Sequence, residues 1–249
     1  MKAMIFAAGL GTRLKPITDT MPKALVPLCG EPLLHHLICK LRASGYDEIV
    51  VNVHHFADQI RQYLASHDFG VRICISDETD LLRETGGGIR HARELLCTDG
   101  PFLVHNVDIL SDLDLGWFRS RMRPDALATL LVSERRTQRY LLFNEQMRLV
   151  GWTNIATGEV RSPYPELDAA SCRRYAFAGI HSISTDIFRV FEEYACPERF
   201  SIIDFYLRAC KDYPVYGAVP DKLTIIDVGK PDNLAEAEQI CKKTSIFAL

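Results

Sequence analysis

The sequence predicts an α/β fold in three layers, with a mixed and mainly parallel central sheet covered by helices on both faces. Three observations point there. Apolar, β-rich runs alternate with segments whose apolar residues recur at helical spacing. The first run, Met4-Ile5-Phe6-Ala7-Ala8, is continuous rather than alternating, which fits a strand buried on both faces. At 249 residues with 47% hydrophobic content, the chain can bury one substantial core, so a single domain spanning 1–249 is expected.

Taken in order, the first strand stops at Gly9, where Gly9-Leu10-Gly11-Thr12-Arg13 begins a loop that runs on to Pro22-Lys23-Ala24-Leu25. Two glycines let the backbone come close to a ligand, and successive exposed N–H groups in such a turn form a concave anion site. Arg13 and Lys23 add positive charge to it. The dinucleotide fingerprint needs a third glycine where Leu14 stands, and the P-loop needs Gly-Lys-Ser/Thr, so neither fits. The alternative for the loop by itself is a glycine turn carrying surface basic residues.

Leu33, Leu34, Leu37, Ile38 and Leu41 mark a first helix from Pro32 to Ser44, closed by Gly45. A strand from Glu48 to Val53, a short helix around Ile60 and Leu64, and a strand from Val71 to Ser76 follow. The polar stretch Asp77 to Gly88 ends in three glycines and reads as a loop, with a helix from Ile89 to Leu96. This loop is either a hinge or a means of bringing main-chain groups to a flat ligand. Phe102 to His105 is a short strand delivering Asn106-Val107-Asp108 at its carboxyl end, where ligands of such sheets lie. Asp108 suits Mg²⁺, which prefers oxygen ligands, or alternatively caps the following turn together with Asp112 and Asp114.

Ala126 to Ser133 reads as a strand, and Tyr140–Phe143 with Leu149–Thr153 as a hairpin around Asn144-Glu145-Gln146. Arg135, Arg136 and Arg139 form a basic run between strands, of the kind usually found in solvated turns. Arg161 to Ser171 reads as a surface loop and Arg174 to Ser184 as a strand, in which Gly179 permits close approach or relieves crowding. Helices are expected over Thr185–Tyr194 and Ser201–Lys211, strands over Val215–Val219 and Leu223–Val228, and a closing helix from Pro231 through Leu234, Ala237 and Ile240. Asp227, between Ile226 and Val228, points to the opposite face of its strand and, if buried, requires a partner.

A net charge of −3 gives no general attraction to nucleic acid or anionic lipid, so a small ligand held by local basic residues is expected. The eight cysteines lie far apart with no C-x-x-C pair and are read as reduced, mostly buried thiols. With no membrane-length apolar run and the first strand almost at residue 1, a cytoplasmic protein is expected. Adjacent histidines at His35-His36 and His54-His55 cannot chelate one ion, and His105 is expected in the core or behind the site. Oligomeric state is not legible.

Ala8-Gly9-Leu10-Gly11-Thr12-Arg13-Leu14 followed by Pro22-Lys23-Ala24-Leu25 resembles the signature of the sugar-1-phosphate nucleotidyltransferases. Glu84-Thr85-Gly86-Gly87-Gly88-Ile89, Asn106-Val107-Asp108-Ile109-Leu110, Phe177-Ala178-Gly179-Ile180 and Ile226-Asp227-Val228-Gly229-Lys230-Pro231 are similar to further family segments, in the family's order. The short members acting on N-acetylmuramate 1-phosphate or mannose 1-phosphate look nearest. The resemblance implies a Rossmann-like three-layer sandwich, the nucleotide-diphospho-sugar transferase fold, with a nucleotide part over about 1–125, a sugar part over about 126–220, and a metal-binding strand and closing helix over about 221–245.

It further implies that Ala8, Gly9, Gly11, Thr12 and Arg13 cradle a nucleoside triphosphate, that Thr85, Gly86, Gly87 and Asn106 hold its nucleoside, and that Asp108 and Asp227 hold Mg²⁺. Lys23, Asn154 and Gly179 would meet the sugar 1-phosphate, with Arg13 and Lys23 catalytic. Larger members carry a Glu-Lys-Pro segment whose lysine holds the sugar phosphate; this chain has Gly151-Trp152-Thr153-Asn154 there, and Arg135, Arg136 or Arg139 is the available replacement. No six-residue period announces a hexapeptide solenoid. UTP with an amino-sugar phosphate is the expected pair. The alternatives are GTP with mannose 1-phosphate, CTP with phosphocholine, and a non-catalytic sensor of nucleotide sugars.

Overall fold

The computed structural model of the chain describes residues 1–229 and 231–243, with side chains as far as Ile240; Lys230 and the thiol of Cys241 lie outside the described residues. The chain begins with β1 (Lys2–Phe6), a hairpin of β2 (Pro27–Leu28) and β3 (Glu31–Pro32), α1 (Leu33–Ala43), β4 (Glu48–Val53), α2 (Ala57–Ala65) and β5 (Arg72–Asp77). It continues through α3 (Glu84–His91), α4 (Arg93–Leu96), β6 (Phe102–Asn106), β7 (Ile109–Ser111), α5 (Leu115–Ser120) and β8 (Ala128–Ser133). The second half holds β9 (Arg139–Phe143), β10 (Leu149–Asn154), β11 (Glu159–Arg161), β12 (Arg173–Ile183), α6 (Ile187–Glu193), α7 (Ile202–Ala209), β13 (Val215–Ala218), β14 (Ile225–Asp227) and α8 (Pro231–Lys243).

Ten strands form the main sheet, in the order β11-β10-β9-β12-β6-β1-β4-β5, with β8 also pairing β12 and carrying β13. The strands β6, β1, β4 and β5 run parallel. Beyond β6 the pairing with β12 is antiparallel, and so are β12 with β9, β9 with β10, and β10 with β11. The sheet is therefore mixed, as expected, with the parallel order concentrated in the N-terminal half.

Successive side chains of a strand leave by opposite faces, and the core divides accordingly. Ala3, Ile5, Ile49, Val51 and Leu103 join one apolar cluster under α1, whose Leu33, Leu34, Leu37, Ile38 and Leu41 are all buried. Met4, Val50, Phe102 and Val104 join a second cluster on the other face with Phe188, Phe191, Phe205 and Tyr206 of α6 and α7. The continuous apolar pattern of β1 follows from this double coverage.

Several expectations need correction. β1 ends at Phe6 rather than Ala8, because the Ala7 and Ala8 amides turn to the Asn52 side chain, 2.7 and 3.3 Å away. Gly86, Gly87 and Gly88 lie inside α3, not in a loop, and the helix expected over Ile89–Leu96 is divided at Ala92. The short strand β11, only three residues long with Glu159 and Val160 exposed, was not expected. Of the seven cysteines whose side chains are described, all free, Cys39, Cys196 and Cys210 are buried, Cys74 and Cys172 half-buried, and Cys29 and Cys97 exposed.

Candidate active site

The carboxyl ends of the parallel strands and the glycine loop enclose a cavity of about 480 Å³. Ala8, Gly9, Gly11, Thr12, Arg13 and Lys23 line one side of it, and Thr85, Asn106 and Asp108 another. At Gly11 the backbone takes φ +65°, and a Cβ there would lie 2.9 Å from Thr18 Cγ2, so the turn requires glycine on both counts. The Thr18 hydroxyl donates to Gly11 O at 2.8 Å and the Leu14 amide to the same oxygen at 2.9 Å, fixing the turn that presents Thr12 and Arg13. A Cβ at Gly9 would have nothing within 4 Å, so the space beside that residue is open to a ligand.

Asn52 and Glu78 brace the loop from below, and the sequence reading missed both. The Asn52 carbonyl oxygen accepts from the Ala7 and Ala8 amides, while its amide nitrogen donates to Glu78 Oε1 at 2.8 Å. Glu78 is fully buried, and its other carboxylate oxygen accepts from the Arg83 amide at 3.2 Å. The available signal was Asn52 itself, a polar residue that interrupts the apolar run Ile49-Val50-Val51 before Val53 at the carboxyl end of the strand.

The two acidic residues come together through a small antiparallel pair: Asp227 on β14 lies opposite Ile109 on β7, and the Val228 amide donates to Asp108 O at 2.9 Å. Lys23 forms an ion pair with Asp108, and both side chains are mostly buried, 12% and 16% exposed. Arg13 approaches Asp227 more loosely, at 3.9 Å, with the two side chains 56% and 32% exposed. Gly229 lies at the centre of this group. A Cβ on it would sit 2.7 Å from both Arg13 Nη2 and Asp227 Oδ1, and 2.9 Å from Lys23 Nζ. Asp227 is thus half-exposed rather than buried, and it holds the Gly229 amide at 2.9 Å. The helix cap considered for Asp108 falls to Asp114, which accepts from the Gly116 and Trp117 amides at 2.7 and 3.1 Å.

A second, larger cavity of about 1010 Å³ opens beside the first and shares Arg13 and Ser201 with it. Its lining includes Asp227, Asn154, Arg135, Arg136 and Arg139. Other expected residues stand elsewhere. The Gly86 and Gly87 amides donate to Phe200 O at 2.9 and 3.2 Å, and neither residue lines a described cavity. Their lack of a side chain serves packing, since a Cβ would lie 2.3 Å from the Phe200 ring at Gly86 and 2.1 Å from Glu198 O at Gly87. Thr85 lines the first cavity while its hydroxyl accepts from the Ile202 amide at 2.9 Å. Gly179, at φ +75°, lines neither cavity; a Cβ there would lie 2.8 Å from Asn106 Nδ2, so it makes room for that side chain. His105 is 1% exposed, and burial lowers its pKa to about 3.

The donor set suits a hard divalent cation. Asp108, paired with Lys23, and Asp227, beside Arg13, offer oxygen ligands only, and among the described residues no group of three or more His, Cys, Asp or Glu side chains is placed to hold a metal ion. Two carboxylates completed by phosphate oxygens and water are the usual surroundings of Mg²⁺, so the residues fit that ion when a phosphate ligand is present.

The chain resembles known proteins in sequence and in fold. The N-acetylmuramate alpha-1-phosphate uridylyltransferase of Caulobacter vibrioides is 34% identical over 244 residues, 95% of this chain and 95% of that protein. The protein of the same name from Neisseria meningitidis serogroup B is 45% identical over 115 residues, 46% of this chain and 49% of that protein. Among solved structures, HddC from Yersinia pseudotuberculosis complexed with GMP-PN has the same fold, with a TM-score of 0.74 at 22% identity over 96% of this chain and 98% of that one. Residues 2–244 match the model of one family, and the chain belongs to it: the nucleotidyl transferases.

Proposed function

We propose that the chain joins the nucleoside monophosphate of UTP to an amino-sugar 1-phosphate of the N-acetylmuramate type, giving a nucleoside-diphosphate sugar and pyrophosphate. The observation that carries this reading is the meeting of two cavities at one charged centre. One is lined by the glycine loop and one by the arginines, and Arg13 belongs to both. The relative from Caulobacter vibrioides, matched along 95% of its length, supplies the donor and acceptor named here.

A sugar phosphate monoester, with a second pKa of about 6, is already mostly dianionic at neutral pH and needs no general base. The obstacle is repulsion between two polyanions, so positioning and fixed positive charge supply the catalysis. The glycine loop, with Ala8, Gly9, Gly11 and Thr12, cradles the triphosphate, and Thr85 and Asn106 bound the nucleoside. Arg13, loosely held and largely exposed, turns to the departing pyrophosphate. Lys23, mostly buried and paired with Asp108, stays between the α-phosphate and the incoming sugar phosphate. Asp108 and Asp227 hold Mg²⁺, which when bound supplies charge neutralisation at the phosphates. Residues to about 125 thereby serve the nucleotide and those to about 220 serve the sugar, with Asn154 on the sugar side.

The test is a matrix of the four ribonucleoside triphosphates against N-acetylmuramate, N-acetylglucosamine and mannose 1-phosphates, with Mg²⁺, scored by pyrophosphate release. Highest kcat/KM for UTP with an amino-sugar phosphate supports the reading. Preference for GTP with mannose 1-phosphate would replace it, and nucleotide-sugar binding with no pyrophosphate from any pair would leave a sensor.

A further inference from the structure

The larger cavity gathers five arginines, Arg13, Arg135, Arg136, Arg139 and Arg161, against three acidic residues, Glu159, Asp204 and Asp227. Its floor is one face of three neighbouring strands: Arg139 and Leu141 from β9, Trp152 and Asn154 from β10, Glu159 and Arg161 from β11. Arg161 is already neutralised, 2.8 Å from Asp204 and 3.7 Å from Glu159, and its guanidinium lies 4.3 Å over the Trp152 ring. Arg13 faces Asp227. Arg135 also lines a small cavity with Asp227 and Asn233, which places it on the side of the charged centre, and its guanidinium donates to Phe177 O at 3.1 Å.

Arg136 and Arg139 differ from these. Both line the large cavity, neither lines the small one beside Asp227, and neither has a carboxylate within ion-pair distance among the described residues. Arg139 stands directly across the β9–β10 ladder from Asn154, so a cation and an amide sit side by side on the floor. Leu141, Phe177 and Ile203 add apolar patches to a lining that is otherwise largely polar. A neutral sugar such as mannose offers a guanidinium left over once the phosphate is held elsewhere only neutral hydroxyl acceptors, and no opposite charge. A sugar bearing a carboxylate on a short apolar substituent offers one partner to each surface, and arginine suits planar, two-pronged carboxylate recognition.

We propose that Arg139, assisted by Arg136, is the specificity-determining contact for a carboxylate on the acceptor sugar, leaving Lys23 and Arg135 to its phosphate. This deepens the transferase reading above and rests on it. N-acetylmuramate 1-phosphate and N-acetylglucosamine 1-phosphate differ only in the carboxylate-bearing lactyl ether, so the readout is the ratio of their kcat/KM values with UTP and Mg²⁺.

The full chain is expected to favour the carboxylated acceptor by ~10- to 100-fold, the worth of one hydrogen-bonded charge pair. In Arg139→Gln that ratio falls towards one, chiefly through KM of the carboxylated sugar, and Arg136→Gln lowers it less. Unchanged thermal midpoints show that both variants fold. Equal use of the two sugars by the unaltered chain, or an unchanged ratio in Arg139→Gln, overturns the assignment while leaving the transferase reading intact. A loss shared equally by both sugars in Arg139→Gln moves that residue to the phosphate and overturns it too. Turnover of neither sugar with any nucleoside triphosphate would remove the transferase reading itself, and this assignment with it.

Discussion

Lys23 and Arg13 bring the same charge to one place but are held differently. Lys23 is mostly buried against Asp108, whereas Arg13 is more than half exposed and only 3.9 Å from Asp227. A fixed cation can hold two phosphates in line, and a mobile one can follow charge onto a leaving group. Arg13→Ala is therefore expected to lower kcat by about 100-fold, the usual worth of one donor to developing negative charge, and to weaken nucleotide binding far less. Steady-state kinetics beside an equilibrium binding titration separates the two effects, and equal losses would contradict the role. The identities of these residues were legible in the sequence through the spacing of the glycine loop and Lys23. Asn52 and Glu78 were not, because hydrogen bonds between residues 26 positions apart leave no local pattern.

At the level of elements, α3 shows how tertiary contact overrides propensity. Three successive glycines read as a loop because glycine in a helix costs roughly 0.5–1 kcal/mol relative to alanine. The close passage of Glu198 and Phe200 leaves no room for side chains at Gly86 and Gly87, so the helix forms and accepts that cost. Gly87→Ala puts a methyl 2.1 Å from a backbone oxygen and should destabilise the fold by about 1–3 kcal/mol in urea titration, although alanine is the better helix former. A gain in stability would mean that the contact yields easily. α1, β4, β6 and the β9–β10 hairpin were readable because their apolar periodicity and their burial coincide. β11 was not, since Glu159 and Val160 are exposed and nothing in their pattern marks a strand.

Across the whole molecule, the parallel half joins the antiparallel half where β6 meets β12, with His105 opposite Ile180 and His181 opposite Val104. Both histidines are fully buried at this seam, and burial lowers each pKa to about 3, with His181 held to the Tyr206 hydroxyl at 2.8 Å. An unfolded chain takes up these protons near its ordinary value of about 6.5, whereas the folded chain refuses them until about pH 3. Stability is thus at its full value above about pH 6.5 and declines as the pH falls through that window. His105→Leu, which removes one of the two groups, should flatten the fall in thermal midpoint between pH 6.5 and about 4. An identical slope in that variant would assign the pH dependence to other residues.

The same long-range assembly brings Asp108 and Asp227, more than a hundred positions apart, to the loop that carries Arg13 and Lys23. If these acids serve one centre, they act as a unit and their losses do not multiply. The decisive measurement is the rate of pyrophosphate release for Asp108→Asn, Asp227→Asn and the double variant at saturating UTP, sugar 1-phosphate and Mg²⁺. Each single variant is expected to lose about 1000-fold and the double variant little more. Near-normal turnover in either single variant, or a double loss equal to the product of the single ones, would contradict a shared site.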